Sequence, residues 1–182
     1  MQLDKTKICS TLSECSKDDA GQSLIESAQM VYNFDEITKE IADVYRGGKP
    51  MASCDALYQK DAEHIYLIEF KNARKSRIGK KFFLQKAYDS VWTLAFAFYP
   101  ELSLTELCQR LFLIVVYNEE GAEQKEEESE YFQAIKKKVG GWAGNRARIL
   151  FGLEIYKDVL YKEILTVDKD EFMEKKYSEL FD

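Results

Sequence analysis

The sequence predicts an α/β fold with a central mixed sheet flanked by helices, because two buried strand-like runs are joined by a long helix. The runs are residues 64–71 (HIYLIEFK) and Leu111–Tyr117 (LFLIVVY), both rich in β-branched and aromatic residues. The helix is predicted over 80–98, where apolar residues recur at helical spacing until Pro100. A strand, a helix and a strand in this order are typical of a crossover between parallel neighbours.

The first predicted helix lies upstream of this unit and ends before a pair of glycines. Residues 23–26 (SLIE) have the form of a capping box, and residues 33–36 (NFDE) form a second helix start. Apolar residues then recur at helical spacing as far as Gly47 and Gly48. We therefore expect one broken helix, or two short ones, ending near Arg46.

Further strands are predicted on both sides of the crossover. Residues 51–59 form a strand that a polar turn joins to HIYLIEFK, so these two strands are expected to be antiparallel. Toward the C-terminus, the strand-like runs are 149–156 and 159–167, and an amphipathic helix begins at about Lys169. The length favours one domain over 1–182 with a single hydrophobic core.

Composition and cysteine usage favour a folded cytoplasmic protein. Apolar residues make up 46% of the chain, which excludes a disordered composition. The four cysteines lack paired metal-ligand spacing and His64 is the single histidine, so we expect reduced thiols. The N-terminus is too polar for a signal peptide, and the longest apolar run, 91–99, is far shorter than the roughly 20 residues that span a bilayer. No membrane partner is expected.

Charge is segregated along the chain. The net charge is −6, and the segment 118–130 accounts for all of it, with seven Glu against one Lys. In contrast, residues 70–88 carry seven basic side chains and no acidic one. We therefore expect an acidic surface segment at 118–130, and residues 119–130 are a candidate surface for a basic protein partner.

Three charged residues are predicted to converge where two strands meet. Glu69 and Lys71 alternate along one strand and so point to one face, and an antiparallel neighbour can bring Asp55 beside them. Two carboxylates and the backbone carbonyl of Phe70 form an oxygen-only site suited to Mg²⁺ or Mn²⁺. A lysine beside such a metal can orient a water and stabilise negative charge on phosphorus. The pattern predicts phosphodiester hydrolysis.

Over about residues 34–117, this arrangement resembles the core of the PD-(D/E)XK nuclease superfamily, a restriction-endonuclease-like fold of order α-β-β-β-α-β. The residues that match its motif are Asp55, Glu69 and Lys71. The resemblance implies two further catalytic positions, Glu40 on the first core helix and Gln85 early on the second. Cys54 stands where the motif usually has proline, and one of the early strands has no clear counterpart. No branch of the superfamily is assigned.

The basic segment adds candidate contacts to nucleic acid. Its cations suited to DNA phosphates are Arg74, Lys75, Arg77, Lys80 and Lys81. A solvated loop and helix start would carry the same residues, and alternating Glu and Lys also suits a cross-strand ion pair. Two functions are therefore expected: a Mg²⁺- or Mn²⁺-dependent nuclease acting on DNA, or a non-catalytic nuclease-fold module that binds or regulates a partner, as immunity or defence proteins do. The sequence does not indicate an oligomeric state.

Overall fold

The described residues form an open six-stranded mixed sheet with helices on both faces. The computed structural model describes residues 8–45, 47–120 and 149–181. Across the sheet, the strands follow chain order: β1 (Cys9–Thr11), β2 (Met30–Asn33), β3 (Ala56–Gln59), β4 (Ile65–Lys71), β5 (Leu111–Tyr117) and β6 (Glu163–Asp168). Strands β1 to β4 pair antiparallel, whereas β5 and β6 add parallel to β4.

Helices precede, cross and follow this sheet. They are α1 (Leu12–Cys15), α2 (Phe34–Tyr45), α3 (Lys80–Thr93), α4 (Leu104–Cys108), α5 (Lys169–Glu171) and α6 (Tyr177–Phe181). A π-helical turn over Leu94–Phe98 extends α3, and another over Phe172–Lys176 joins α5 to α6. Short 3₁₀ turns cover Lys75–Arg77 and Leu153–Tyr156.

The two faces of the sheet bury separate apolar clusters, which places α2 and α3 opposite α1 and the C-terminal helices. Because side chains alternate along a strand, β4 contributes to both clusters. Leu67 packs in the cluster that contains Phe34 of α2 and Val91 of α3. Ile68 packs in the cluster that contains Leu12 of α1 and Phe172. The site described below lies on the α3 side, at the end of β4.

The central crossover and its neighbours are confirmed. Helix α3 with its π-helical turn covers the predicted 80–98, and it joins the parallel strands β4 and β5. The predicted cap at Asn33 is present, since the Glu36 N–H donates to Asn33 Oδ1 at 3.2 Å. The helix predicted to end near Arg46 is a single helix, α2, and a C-terminal helix begins at Lys169 as predicted.

The predicted capping box at 23–26 is wrong, because this segment bonds across to α1 instead of starting a helix. The Leu24 N–H donates to the Ser16 carbonyl at 3.1 Å, and the Ile25 N–H donates to Ser16 Oγ at 3.3 Å. The Ser27 N–H donates to Ser13 Oγ at 2.6 Å. These contacts satisfy the backbone in an extended conformation.

Two predicted strands are shorter than expected and one is absent. Strand β3 begins at Ala56, because the N–H groups of Ala52 and Cys54 donate to side chains of α3. The run 159–167 forms a strand only from Glu163 to Asp168. The run 149–156 contains a 3₁₀ turn, since Phe151 and Gly152 have φ of 64° and 78° and so leave the extended conformation.

The strand order departs from α-β-β-β-α-β. Between α2 and α3 the chain forms two strands, β3 and β4, and the third antiparallel strand, β2, precedes α2. Strand β2 pairs with β3 through Tyr32 and Leu57, so it still extends the antiparallel part of the sheet. Within the described ranges, none of the helices combines the length and the hydropathy that a bilayer-spanning segment needs.

Candidate functional site

Asp55 and Glu69 lie side by side where β3 begins and β4 ends. The Asp55 N–H donates to the Ile68 carbonyl at 3.0 Å, which continues the antiparallel ladder by one residue. The Phe70 N–H donates to Asp55 Oδ2 at 2.6 Å, so the carboxylate takes the place of a backbone acceptor. The structure thus brings together the two predicted metal ligands, which we call the carboxylate pair.

Lys86 of α3 is the cation that contacts the carboxylate pair. Its Nζ lies 3.2 Å from Asp55 Oδ1 and 2.8 Å from both oxygens of Glu69. The side chains are largely buried, with exposures of 13% for Lys86, 17% for Asp55 and 2% for Glu69. The sequence analysis placed Lys86 only in the basic segment. Its spacing was the available signal, since it lies three residues after Phe83 and four before Ser90 and therefore shares their face of α3.

Asp35 is a second residue that the sequence analysis missed. It lies in the first turn of α2 and lines the same cleft as the carboxylate pair. Its Oδ1 accepts a hydrogen bond from Ser53 Oγ, and Ser53 in turn accepts from Thr38 Oγ1 at 3.0 Å. The Phe34 N–H donates to the Asp55 carbonyl at 3.0 Å, which fixes the start of α2 against the site.

The other residue predicted on α2, Glu40, does not line this cleft. It is five residues after Asp35, and at 100° per residue the two side chains point to different sides of the helix. Gln85 is exposed and likewise does not line the cleft. Its neighbour Lys86 occupies the position near the carboxylates that the resemblance implied for Gln85. Asp35 and Lys86 are therefore the nearer functional candidates on the two helices.

Burial raises the pKa values of both carboxyl groups. Burial raises the pKa of Asp55 to about 6, against the lowering effects of Lys86 and of the Phe70 N–H. Burial and the Asp55 charge raise the pKa of Glu69 well above its usual value, although Lys86 and Lys71 oppose this. Burial lowers the pKa of Lys86, but Glu69 and Asp55 outweigh it and raise that pKa above its usual value. The positive charge of Lys86 thus keeps at least one of the two carboxylates ionised although the site is largely buried.

These shifts predict that the metal-free protein loses stability as the pH rises from 4 to about 6. In that window the folded state retains a proton on Asp55 that the unfolded chain has released, so the unfolding free energy falls with rising pH. Each unit of raised pKa corresponds to about 1.4 kcal/mol. Urea unfolding in EDTA across this range should show a smaller decrease for Asp55→Asn than for the unsubstituted protein. Equal pH dependence of the two proteins would contradict the raised pKa.

The carboxylate pair lies in a cleft of about 570 Å³ whose lining also includes Lys17, Asp18, Asp35, Lys71 and Phe82. Lys71 Nζ lies over the Phe82 ring, 5.4 Å from its centroid, while Lys86 Nζ lies 5.2 Å from it. Of the two lysines, Lys86 makes the close ion pairs, and Lys71 remains at the mouth of the cleft. The predicted trio therefore shares one cleft, with Lys86 added to it.

One wall of the cleft is a loop at 16–20 that polar side chains tie to the end of the sheet. Asn72, directly after β4, donates from Nδ2 to Asp18 Oδ2 at 2.8 Å and accepts from Asn118 Nδ2 at 2.8 Å. Asp18 also accepts from the N–H groups of Ala20 and Gln22, both at 2.9 Å. Hydrogen bonds of Asp18 therefore hold the loop against the end of the sheet.

The five predicted nucleic-acid contacts follow β4 in the chain, lie outside the cleft lining and divide into two groups. Arg74 Nε donates to the Glu120 carbonyl at 3.2 Å, and Lys75 Nζ lies 3.3 Å from Glu119 Oε1. These two cations contact the start of the acidic segment. Arg77, Lys80 and Lys81 are exposed where α3 begins. Residues 121–130 of the predicted acidic surface lie outside the described residues.

The carboxylates of Asp55 and Glu69 could bind a hard divalent cation, because their oxygen atoms already surround one cationic group, the Nζ of Lys86. Mg²⁺ is commonly held by one or two carboxylates together with waters and substrate phosphates. Across the described ranges, no cluster of three or more His, Cys, Asp or Glu side chains has metal-binding geometry. The side chains of Asp55 and Glu69 would therefore hold the ion, and the predicted Phe70 carbonyl would complete the set. Its binding requires the ammonium of Lys86 to move away.

No protein-family model, curated protein or solved structure matches this chain. The arrangement of the cleft is therefore the ground on which its function is argued.

Proposed function

We propose that this protein is a divalent-metal-dependent nuclease of the PD-(D/E)XK type that hydrolyses phosphodiester bonds of DNA. The observation that carries the proposal is the carboxylate pair, in which side chains from two adjacent strands hold one cationic group in a cleft. Two buried carboxylates that share one lysine are costly to bury, so their retention at a cleft favours a chemical role. The order α2, β3, β4, α3, β5 agrees with the superfamily's order except for one strand, which here precedes α2 as β2.

Each side chain of the cleft has a separate task in this reaction. Asp55 and Glu69 would hold Mg²⁺ or Mn²⁺, which would supply polarisation of the phosphate and a more nucleophilic water. Lys71 at the cleft mouth orients the attacking water and stabilises the negative charge that develops on phosphorus. Lys86 keeps the carboxylate pair ionised and in place before the metal enters. Exposed Arg77, Lys80 and Lys81 bind the phosphates on either side of the cleaved bond.

The test is cleavage of labelled DNA by the purified protein with Mg²⁺ or Mn²⁺, compared with EDTA. We expect cleavage that requires the metal and falls by about a hundredfold or more in Asp55→Asn and in Glu69→Gln, because each loses a charged ligand. Asp43→Asn is the matched control, since Asp43 is an exposed acid on α2. No cleavage of single-stranded or duplex DNA with either metal, or full activity in Asp55→Asn, would reject the nuclease.

A second candidate is a non-catalytic nuclease-fold module that binds or regulates a protein partner. The observation that favours it is the same ion pair, because Lys86 satisfies both carboxylates without any metal. At the start of the acidic segment, however, Glu119 and Glu120 pair with Lys75 and Lys169 of this chain. A melting temperature that rises with Mn²⁺, and does not rise in Asp55→Asn, would favour the nuclease over the module.

A further inference from the structure

Phe82 presents an unusually exposed aromatic ring at the mouth of the cleft. Its side chain lines the cleft together with Asp55 and Glu69, yet the residue is 49% exposed. The next residue, Phe83, is only 2% exposed and packs its ring against Phe151 at 4.9 Å between centroids. Phe83 thus supplies the apolar contact between this turn of α3 and the core. The ring of Phe82 is left facing the space that a substrate would enter.

The ring of Phe82 is bordered by the cations that a phosphate chain would contact. The Nζ atoms of Lys71 and Lys86 lie over the ring, 5.4 Å and 5.2 Å from its centroid, and both lysines line the cleft. On α3, the two residues before it are the exposed Lys80 and Lys81. An aromatic face beside a run of cations is the combination by which proteins bind single-stranded nucleic acid, since bases stack while the backbone follows the positive charge.

We propose that Phe82 is a stacking platform for an unpaired base beside the cleaved phosphate, and that the substrate is therefore single-stranded DNA. The inference rests on the proposed nuclease function and specifies its substrate. In a duplex both faces of a base are covered by its neighbours. Offering one of them to Phe82 would require extrusion of the base, which costs a few kcal/mol. A single strand offers its bases at a much lower cost.

The burial of the carboxylate pair inside the cleft also favours single-stranded DNA as the substrate. The Glu69 side chain is 2% exposed, so a phosphate must enter the cleft to come near it. The loop at 16–20 and the Phe82 side chain both line this cleft. A single strand can bend its backbone into such a cleft and place the adjoining base on Phe82, whereas a regular duplex presents its phosphates on a stiff outer surface.

The experiment measures binding in EDTA, so that no strand is cut. A fluorescein-labelled oligothymidylate of about 12 nucleotides and a blunt duplex annealed from two complementary strands are titrated with protein, and anisotropy gives each Kd. We expect the single strand to bind more tightly. Phe82→Ala should weaken its binding by about 5- to 150-fold, the range for one stacked base, and should leave duplex binding within about twofold. Phe82→Trp should retain the binding.

The matched control is Phe96→Ala, which removes another exposed ring in the π-helical turn that extends α3. It should leave the Kd of the single strand unchanged. Melting curves of all variants establish that they are folded. The proposal is overturned if Phe82→Ala and Phe96→Ala bind the single strand alike, if Phe82→Trp binds as weakly as Phe82→Ala, or if the duplex binds more tightly than the single strand.

The two proposals fail in different ways. If the single strand binds through Phe82 but no metal supports cleavage, the nuclease is rejected and the stacking platform stands. If metal-dependent cleavage is observed on single strand and duplex at equal rates, and Phe82→Ala leaves both rates and both Kd values unchanged, the nuclease stands and the platform is rejected.

Discussion

Replacing Lys86 by methionine is expected to lower the unfolding free energy by about 3–5 kcal/mol at pH 7, which is the cost of removing one partner from a buried ion pair. Methionine keeps most of the length and apolar surface of the lysine side chain, so the loss reports the charge. Asp55 and Glu69 would then face each other with no counter-ion within contact distance. Urea unfolding in EDTA measures the effect.

The control for this substitution is Lys81→Met on the exposed side of α3, which should change the unfolding free energy by no more than about 0.5 kcal/mol.

Two conditions should reduce the loss of unfolding free energy in Lys86→Met. At pH values below about 6, Asp55 binds a proton, so the carboxylate pair depends less on its counter-ion. Saturating Mn²⁺ should also stabilise the variant, by about 2.7 kcal/mol at a hundred times Kd. A loss that is the same at every pH would refute the role of Lys86 as counter-ion.

Lys71→Ala is expected to lower the cleavage rate by about 100- to 1000-fold, as removal of one preorganised charge from a transition state does. The expected effect on the unfolding free energy is small, because the ammonium of Lys71 lies over an exposed ring rather than in the ion pair. Single-turnover cleavage with Mg²⁺ and urea unfolding measure the two effects separately.

Lys71→Arg is the informative companion, since it keeps the positive charge but changes its geometry and should recover only part of the rate. Lys75→Ala is the matched control, because Lys75 is an exposed lysine that lies outside the cleft lining. It should alter the affinity for DNA and its salt dependence more than the cleavage step. Cleavage at the full rate in Lys71→Ala would exclude this lysine from the reaction and leave Lys86 as the remaining candidate.

The strands and helices were predicted correctly from the sequence where the local apolar pattern agrees with the tertiary packing. The apolar run Leu111–Tyr117 became β5 with the same bounds, since a short uninterrupted run rich in β-branched and aromatic residues favours a buried strand. Helix α3 followed from its spacing and from the proline after it. The predicted strand at 149–156 failed because Phe151 and Gly152 adopt positive φ, which an apolar pattern does not reveal.

The site was also predicted only in part, because some of its contacts depend on local rules and others on tertiary packing. The meeting of Asp55 and Glu69 followed from strand alternation and one antiparallel neighbour, both of which are short-range rules. The approach of Lys86 did not follow, because it depends on how α3 rotates against the sheet. Asp35 was missed because hydrogen bonds from Ser53 orient it, and Ser53 is far away in the sequence.

The sequence by itself determined a mixed α/β sheet, a strand that ends in Glu69 and Lys71, and a basic segment that follows it. These depend on residue order and on the period of side chains along one element. Only the tertiary structure decided which lysine contacts the carboxylate pair and which aromatic ring stays exposed beside it. Both depend on the packing of α3 across the sheet, where the apolar residues Phe83, Ala87 and Val91 turn Lys86 toward the site and leave Phe82 at its mouth.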